Sequence, residues 1–345
     1  MGVTKPTPVA VLGATGYVGV ELLRLLSRHP GVDLVFVSSE QYRGQPVSAV
    51  YPSLVGCVDL TLEAPDVDVA AARAEVVFTA LPHGASAPFV AALRQRGRTV
   101  IDQSADFRLR DPDTYAQWYG HHHPAPELVA EAVYGIPEIY RHALRTTRLV
   151  AVPGCYPTCA LLGLVPLARA GLIRSPVVID AKSGTTGAGR AAKVEQLFAE
   201  VNENFRPYAV DGHRHGPEID QELRAAGASA GALFIPHLLP LSRGMECTMY
   251  VRVAAEPPLA EIYERAYASE PFVVLRGAEP PTIREVRGTN RCAIGWRYDA
   301  TTGYAVVMTT IDNLGKGAAG DAVQCMNVVL GLPETMGLDA TALIP

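Results

Sequence analysis

Val9-Ala-Val-Leu12-Gly13-Ala-Thr-Gly16-Tyr-Val-Gly19 is the stretch on which the reading of the fold turns. The four continuous apolar residues at 9–12 read as a buried strand of a parallel sheet. From Tyr17 to Arg28, Val18, Leu22, Leu25 and Leu26 share one helical face. Strand, glycine turn and helix then follow in the order that a dinucleotide-binding unit requires. Its glycines allow a tight turn and a close approach of backbone to a pyrophosphate, which the helix N-terminus stabilises. Gly13, Thr15, Gly16, Tyr17, Val18 and Gly19 are therefore candidate cofactor contacts; a bare structural turn is the alternative.

Outward from that unit, the first half alternates short apolar runs (34–38, 75–81, 99–102) with a helical pattern at 85–95. Alternation of this kind predicts right-handed βαβ units around a parallel sheet. The second half differs. Strands at 176–182 and 245–254 precede a hairpin, 291–298 and 304–312, around the turn-rich 299–303. This predicts a mixed or antiparallel sheet in a second domain. A last helix, about 316–330, returns to the first domain. The expected division is 1–154 with 313–345 for the nucleotide domain and 155–312 for the catalytic, substrate and dimerisation domain.

Composition excludes several classes. The chain has 345 residues, 30 Lys+Arg against 35 Asp+Glu, and a net charge of −5. This acidic balance carries no footprint for nucleic acid, and no apolar run reaches the length of a membrane span. The first eight residues lack the apolar stretch of a signal peptide. Six scattered cysteines suggest a reducing compartment rather than a disulfide framework. The expectation is a cytoplasmic protein with a small-molecule substrate, without nucleic-acid or membrane partners and without a bound metal.

After the second strand come Ser38, Ser39, Glu40 and Arg43. Two hydroxyls and a guanidinium suit a 2′-phosphate, which favours NADP(H); Glu40 keeps NAD open. Cys155 in Val152-Pro-Gly-Cys-Tyr-Pro-Thr158 follows an apolar strand and precedes a helical stretch at 158–170. Partial positive charge at a helix start favours the thiolate. An unaided thiol, with a pKa near 8.5, is only about 3% ionised at pH 7, so a nucleophile needs that help. The other cysteines read as small buried apolar residues, and Cys155 with Cys159 lacks the second ligand pair of a zinc site.

A reactive thiol needs a proton carrier. His213 and His215, in the loop before Pro217-Glu218, are the candidates, with a solvated basic loop as the alternative. Glu218, three residues on, is placed to orient the His215 ring. The run His121-His-His123 reads as a surface loop, since three adjacent side chains do not face one ion. Ser183-Gly-Thr-Thr-Gly187-Ala-Gly189-Arg190 is a second glycine loop. Its amides, with Ser183, Gly184, Gly187 and Arg190, suit a phosphate or the nicotinamide amide, or it is a flexible turn. Arg108 in Ser104-Ala-Asp-Phe-Arg108 offers a cation to an anionic substrate, and Asn313, before the last helix, a contact to the cofactor.

Taken together and in order, these motifs, with 234–244 and 312–317, resemble the N-acetyl-gamma-glutamyl-phosphate reductases over essentially the whole chain. The resemblance implies a semialdehyde-dehydrogenase-like α/β fold: a doubly wound Rossmann-type NADP domain plus an α/β domain with a mixed or antiparallel sheet for substrate and dimerisation. It implies a homodimer or homotetramer and a place in arginine biosynthesis. It makes Cys155 the nucleophile that forms a thioester, His215 the general acid/base with His213 beside it, and Arg108 and the 183–190 loop the substrate site. Aspartate-semialdehyde dehydrogenase and a carrier-protein-linked aminoadipyl-phosphate reductase are the alternatives within this chemistry. The second is disfavoured by Tyr156-Pro157 after the cysteine. An NADP-binding sensor, which would not need Cys155, is the non-enzymatic alternative.

Overall fold

The computed structural model describes residues 5–342, so the outermost residues of the expected division, 1–4 and 343–345, lie outside the described residues. The chain separates into two compact units, one running through Pro153 and completed by Ala318–Asp339, the other Gly154–Gly317 with the described residues 340–342, which the expected division had given to the nucleotide domain. The contacts place Asn313 to Gly317 with the second unit, a few residues from the expected return at 313.

The first unit is built on β1 (Thr7–Leu12), β2 (Val32–Val37), β3 (Val76–Thr79), β4 (Thr99–Asp102), β5 (Val133–Tyr134) and β6 (Leu149–Ala151). They form one sheet in the order β2-β1-β3-β4-β6-β5, with every pairing parallel. Val9, Ala10, Val11 and Leu12 are wholly buried, as a strand covered on both faces must be. Burial of each larger side chain is worth about 1.5–3 kcal/mol. The chain leaves β1 through α1 (Tyr17–Leu26) to β2 on one side, then crosses by α2 (Val67–Arg73) to β3 on the other. The strand order therefore reverses at β1, where a doubly wound sheet opens its ligand crevice. α3 (Ser86–Gln95) links β3 to β4, and α4 (Pro137–Leu144) precedes β6.

The second unit opens with α5 (Cys155–Arg169), whose residues after Cys155 are almost all buried. Its sheet contains β7 (Val177–Ser183), β8 (Arg206–Pro207), β9 (Ala232–Leu238), β10 (Met245–Arg252), β11 (Val273–Gly277), β12 (Cys292–Asp299) and β13 (Tyr304–Ile311). The order is β11-β12-β13-β10-β7-β9-β8. The hairpin β12–β13 and the pairs β10–β13 and β10–β7 are antiparallel, while β7–β9 is parallel. The sheet is mixed, as the hairpin pattern implied. α6 (Gly216–Ala225) lies in the β7-to-β9 crossover, and α7 (Leu259–Tyr267) precedes β11.

Three local readings are corrected. α5 starts at Cys155 rather than Thr158, because Pro157 sits in the first turn, where a missing N–H breaks no helical bond. β9 was not expected, since Pro236 interrupts its apolar run; the strand accommodates the proline near the sheet margin, beside the two-residue β8. The last helix begins as a π-turn, Gly315–Ala319, and becomes the α-helix α8 (Gly320–Val329) four residues after the expected start at 316.

Candidate active site

The three glycines after β1 divide the labour that a pyrophosphate loop demands. Gly13 has φ +83°, and a methyl there would lie 2.4 Å from the Ala80 carbonyl oxygen beyond β3. Gly19 lets α1 close on the turn, since a methyl would meet Gly13 O at 2.2 Å. Gly16, the N-cap residue of α1, is different: a methyl there has only Gly13 O near it, at 3.9 Å. Space therefore lies open at the helix end, in front of the outward N–H groups of Tyr17, Val18 and Gly19. A dinucleotide phosphate fits that cradle. Thr15 is fixed beside it, its carbonyl accepting from Tyr51 Oη at 2.7 Å.

The expected 2′-phosphate contacts separate. Ser38 is wholly buried, and its hydroxyl accepts from the Gly13 amide at 3.3 Å. It therefore holds the glycine turn, which corrects its assignment to the phosphate. Ser39 is 5% exposed and shares a 2.7 Å hydrogen bond with the Thr15 hydroxyl. Arg43 is exposed beyond it.

In the second unit, Cys155 is the first residue of α5, after the extended N-cap Gly154. The ring of His215 packs on Gly154: a methyl on that glycine would lie 2.3 Å from Nε2 and 2.7 Å from Cδ2 and Cε1. On another side the backbone of Gly317 approaches, so that a methyl there would meet Cys155 Cβ at 2.8 Å. Thiol and imidazole thus flank one glycine, at the positive end of a helix.

His213 and His215 meet edge to face at 4.7 Å. The His215 amide donates to His213 Nδ1 at 3.1 Å, which places any proton of a neutral His213 on Nε2. Burial, and then the charge of Arg214, lower its pKa from 6.5 to about 4. His213 is therefore neutral at pH 7. Tyr156, Tyr208 and Phe234 enclose it. Tyr208 Oη donates to Tyr156 Oη at 3.2 Å, and burial pushes the Tyr208 hydroxyl up to about 12. These aromatic walls were missed; Tyr156 sits in the cysteine motif itself, but nothing around Tyr208 or Phe234 in sequence signals the contact.

Several polar residues singled out above hold the scaffold. Glu218 is 1% exposed and its Oε1 accepts from the Gly154 amide at 2.9 Å, so it anchors the cysteine loop from behind instead of meeting substrate. Arg108 is 6% exposed, with Nε on the Val152 carbonyl at 2.7 Å and Nη2 on Gln103 O at 2.8 Å. It braces the chain that leaves β6. In the 183–190 loop, the amides of Gly184, Thr185 and Thr186 donate to the carbonyls of Gly244, Leu241 and Ser242. The Gly187 amide turns back to Gly184 O, and Ser183 Oγ donates to the same carbonyl at 3.0 Å. The expected amide cradle is thus absent, because its donors are paired within the protein. Arg190 lies at the exposed end of the loop. Asn313 is 2% exposed; its Oδ1 accepts from the Gly244 amide at 2.8 Å and its Nδ2 donates to Thr186 Oγ1 at 2.9 Å. It ties two loops together rather than reaching out to a cofactor. His123, read as surface, is 7% exposed: one ring nitrogen accepts from the Ala125 amide at 3.0 Å and the other meets Asp106 O.

The family profile described as semialdehyde dehydrogenase, NAD binding domain, matches residues 8–147, and that of the semialdehyde dehydrogenase dimerisation domain matches 155–313. The Vibrio cholerae aspartate semialdehyde dehydrogenase II, solved with ASA, superposes with a TM-score of 0.74 at 20% identity, over 95% of this chain and 99% of that one. The Candida albicans aspartate semialdehyde dehydrogenase with NADP gives 0.70 at 15% identity, over 94% and 99%. These likenesses show the fold. The N-acetyl-gamma-glutamyl-phosphate reductase of Moorella thermoacetica is 51% identical over 97% of this chain and 99% of its own, and that of Geobacter sp. is 50% identical over 98% and 99%. Matched by both domain profiles and at about half identity along nearly its whole length, the chain belongs to the N-acetyl-gamma-glutamyl-phosphate reductase family of semialdehyde dehydrogenases.

Proposed function

We propose that the protein is an NADP-dependent oxidoreductase that reduces N-acetyl-L-glutamyl 5-phosphate to N-acetyl-L-glutamate 5-semialdehyde and phosphate, in arginine biosynthesis. The observation that carries this reading is Cys155 at the start of α5, with the His215 ring packed across Gly154, in a chain about half identical to reductases of that name.

The Cys155 thiolate attacks the acyl-phosphate carbonyl; the C–S bond forms, the C–O bond to phosphate breaks, and phosphate leaves with the pair of electrons. Held at the 13–19 turn, NADPH would supply the hydride for reduction of this thioester to a thiohemiacetal. The amides of Cys155 and Tyr156 face the developing oxyanion at the helix end, while Pro157 brings no N–H. His215 takes the thiol proton and later returns one to the oxygen; when that proton is withdrawn again the C–S bond breaks, releasing aldehyde and thiolate. Neutral His213 offers Nε2–H to the substrate, and Arg190 meets the phosphoryl group from the 183–190 loop. In the first unit, the 13–19 turn holds the pyrophosphate, and Arg43 with the Ser39 hydroxyl favours the 2′-phosphate.

The dimerisation-domain match means that the chain self-associates; a homodimer, alone or paired into a tetramer, is our reading of its size. Among the described residues no helix is long and apolar enough to cross a membrane, and a catalytic thiol suits the reducing cytoplasm. Phosphate-dependent reduction of NADP with N-acetyl-L-glutamate 5-semialdehyde, run beside aspartate semialdehyde, tests the assignment. A preference for aspartate semialdehyde would overturn it. His215→Asn is expected to lower kcat by about 10²–10⁴-fold and His213→Asn to act chiefly on KM; the opposite pattern would make His213 the base.

A further inference from the structure

Behind the 183–190 loop the second unit carries a pocket of about 420 Å³, lined by Leu241, Arg243, Thr282, Ile283, Arg284 and Arg287. Its volume is in the range of small-ligand sites, and three of its six lining side chains are guanidinium groups. Only one of these is neutralised nearby. Arg243 grips the buried Asp312 with Nε at 3.0 Å and Nη2 at 3.0 Å, and the same carboxylate also accepts from the amides of Gly288, Leu314 and Gly315. Asp312 thus has its oxygens occupied. The nearest other carboxylate along the chain, Glu285, is turned to the Thr282 hydroxyl at 3.0 Å and to Arg276 at 3.5 Å. Arg284 and Arg287 have no carboxylate partner among the described residues, and Arg287 Nε is sealed from solvent with no acceptor in reach. A charged donor buried without an acceptor destabilises the fold, and a ligand that accepts from it reverses the cost.

We propose that this pocket binds a small dianion, a phosphate or phosphate monoester, which tightens the Leu241–Gly244 backbone. Two unbalanced guanidinium groups match two negative charges, and their planar forks suit phosphate oxygens. The consequence reaches the catalytic loop by bonds already described. Leu241 O and Ser242 O accept the amides of Thr185 and Thr186, Thr186 Oγ1 donates to Ser242 O at 2.6 Å, and Gly244 N holds Asn313. An anion against Arg243, Arg284 and Arg287 therefore bears on the stretch that fixes 183–190.

Isothermal titration calorimetry of the full-length protein, with inorganic phosphate in one arm and glycerol 3-phosphate in the other, tests this, and the arm that binds more tightly identifies the source. The assigned reaction supplies a phosphate site of its own, so the readout is the number of sites lost in Arg284→Ala/Arg287→Ala. We expect two sites per subunit to become one; if the reaction assigned above is wrong, one becomes none. In the single variant Arg284→Ala, an exposed position that folding does not depend on, affinity at that site should fall about tenfold, as expected for one lost charge-assisted contact. Hydrogen exchange of the Thr185 and Thr186 amides should slow with phosphate in the parent and not in the double variant. An unchanged site count in the double variant overturns the proposal. So does a changed oligomer mass with phosphate binding intact, which would mean that the two arginines face a second copy of the chain.

Discussion

Gly154→Ala probes the catalytic geometry with one carbon atom. Gly154 has φ −67° and ψ 152°, a conformation that alanine adopts freely, so the backbone is not strained. The amide that donates to Glu218 also survives the change. What the methyl does meet is the imidazole: it would lie 2.3 Å from His215 Nε2, where ordinary contact begins at 3.4 Å. The ring must therefore move by about 1.1 Å. A ring at the end of its side chain moves at modest cost, on the order of 1–3 kcal/mol for an overpacked site. Catalysis is less forgiving, since an error of about 1 Å in a proton carrier costs on the order of 10²-fold in rate. Stopped-flow turnover and urea unfolding should thus part company, with kcat reduced about a hundredfold in a folded protein that still binds NADPH. If His215 is the group displaced, Gly154→Ala/His215→Asn should be no slower than His215→Asn alone, because both changes remove the same function. A Gly154→Ala enzyme within threefold of the parent, or losses that multiply in the double variant, would refute His215 as the acid/base.

Cys155→Ser should abolish turnover with NADPH binding, followed by nucleotide fluorescence, unchanged; activity above about 1% of the parent would exclude a thioester route. Cys159→Ser should be mild, because the serine hydroxyl can keep the contacts that Sγ makes with Thr309, at 3.2 Å to Oγ1. Arg43→Ala should weaken NADPH relative to NADH by about 1–3 kcal/mol, whereas Ser38→Ala should leave that ratio alone, its hydroxyl being turned to Gly13; equal losses of both nucleotides in Arg43→Ala would remove the 2′-phosphate assignment. His213 sets a stability slope: unfolded, it gains a proton below pH 6.5, while folded it resists until about 4, so stability falls as the pH drops from 6.5 towards 4. Unfolding free energies from urea titrations at pH 7 and 4.5 should differ by about 2 kcal/mol less in His213→Asn, and an unchanged difference would show that the ring is not held neutral.

Much of the first unit was legible because its strands and its glycine turn answer to local rules. A continuous apolar run means burial on both faces, and Gly13 and Gly19 answer steric demands that the structure shows, while Gly16 leaves open space at the helix end. The second sheet was legible in β10, whose burial alternates, and in β12 and β13, which the turn-rich 299–303 joins as a hairpin, and obscure in β9, where Pro236 breaks the run and the pairing partner β7 lies more than fifty residues away. The start of α5 was misplaced for a related reason. Pro157 reads as a boundary in sequence, whereas within a first turn it is compatible with the helix.

The structure brings together the candidate reactive groups that the sequence singled out, and it reassigns several of their polar neighbours to support. Cys155, His213 and His215 stand out because few residue types do nucleophilic and proton-transfer chemistry near pH 7. Ser38, Arg108, Glu218 and Asn313 were drawn to ligands by the same logic, polarity beside a motif. Yet each is nearly inaccessible, and each satisfies a backbone group that would otherwise be buried unpaired: the amides of Gly13, Gly154 and Gly244 and the carbonyl of Val152. Glycine-rich loops make this necessary. They bring backbone close to substrate and cofactor, but they carry no side chains with which to fix themselves, so the fixing must come from polar residues elsewhere in the chain. A polar residue beside a glycine motif is therefore as good a candidate for holding the loop as for touching the ligand, and only its burial and the direction of its hydrogen bond decide which.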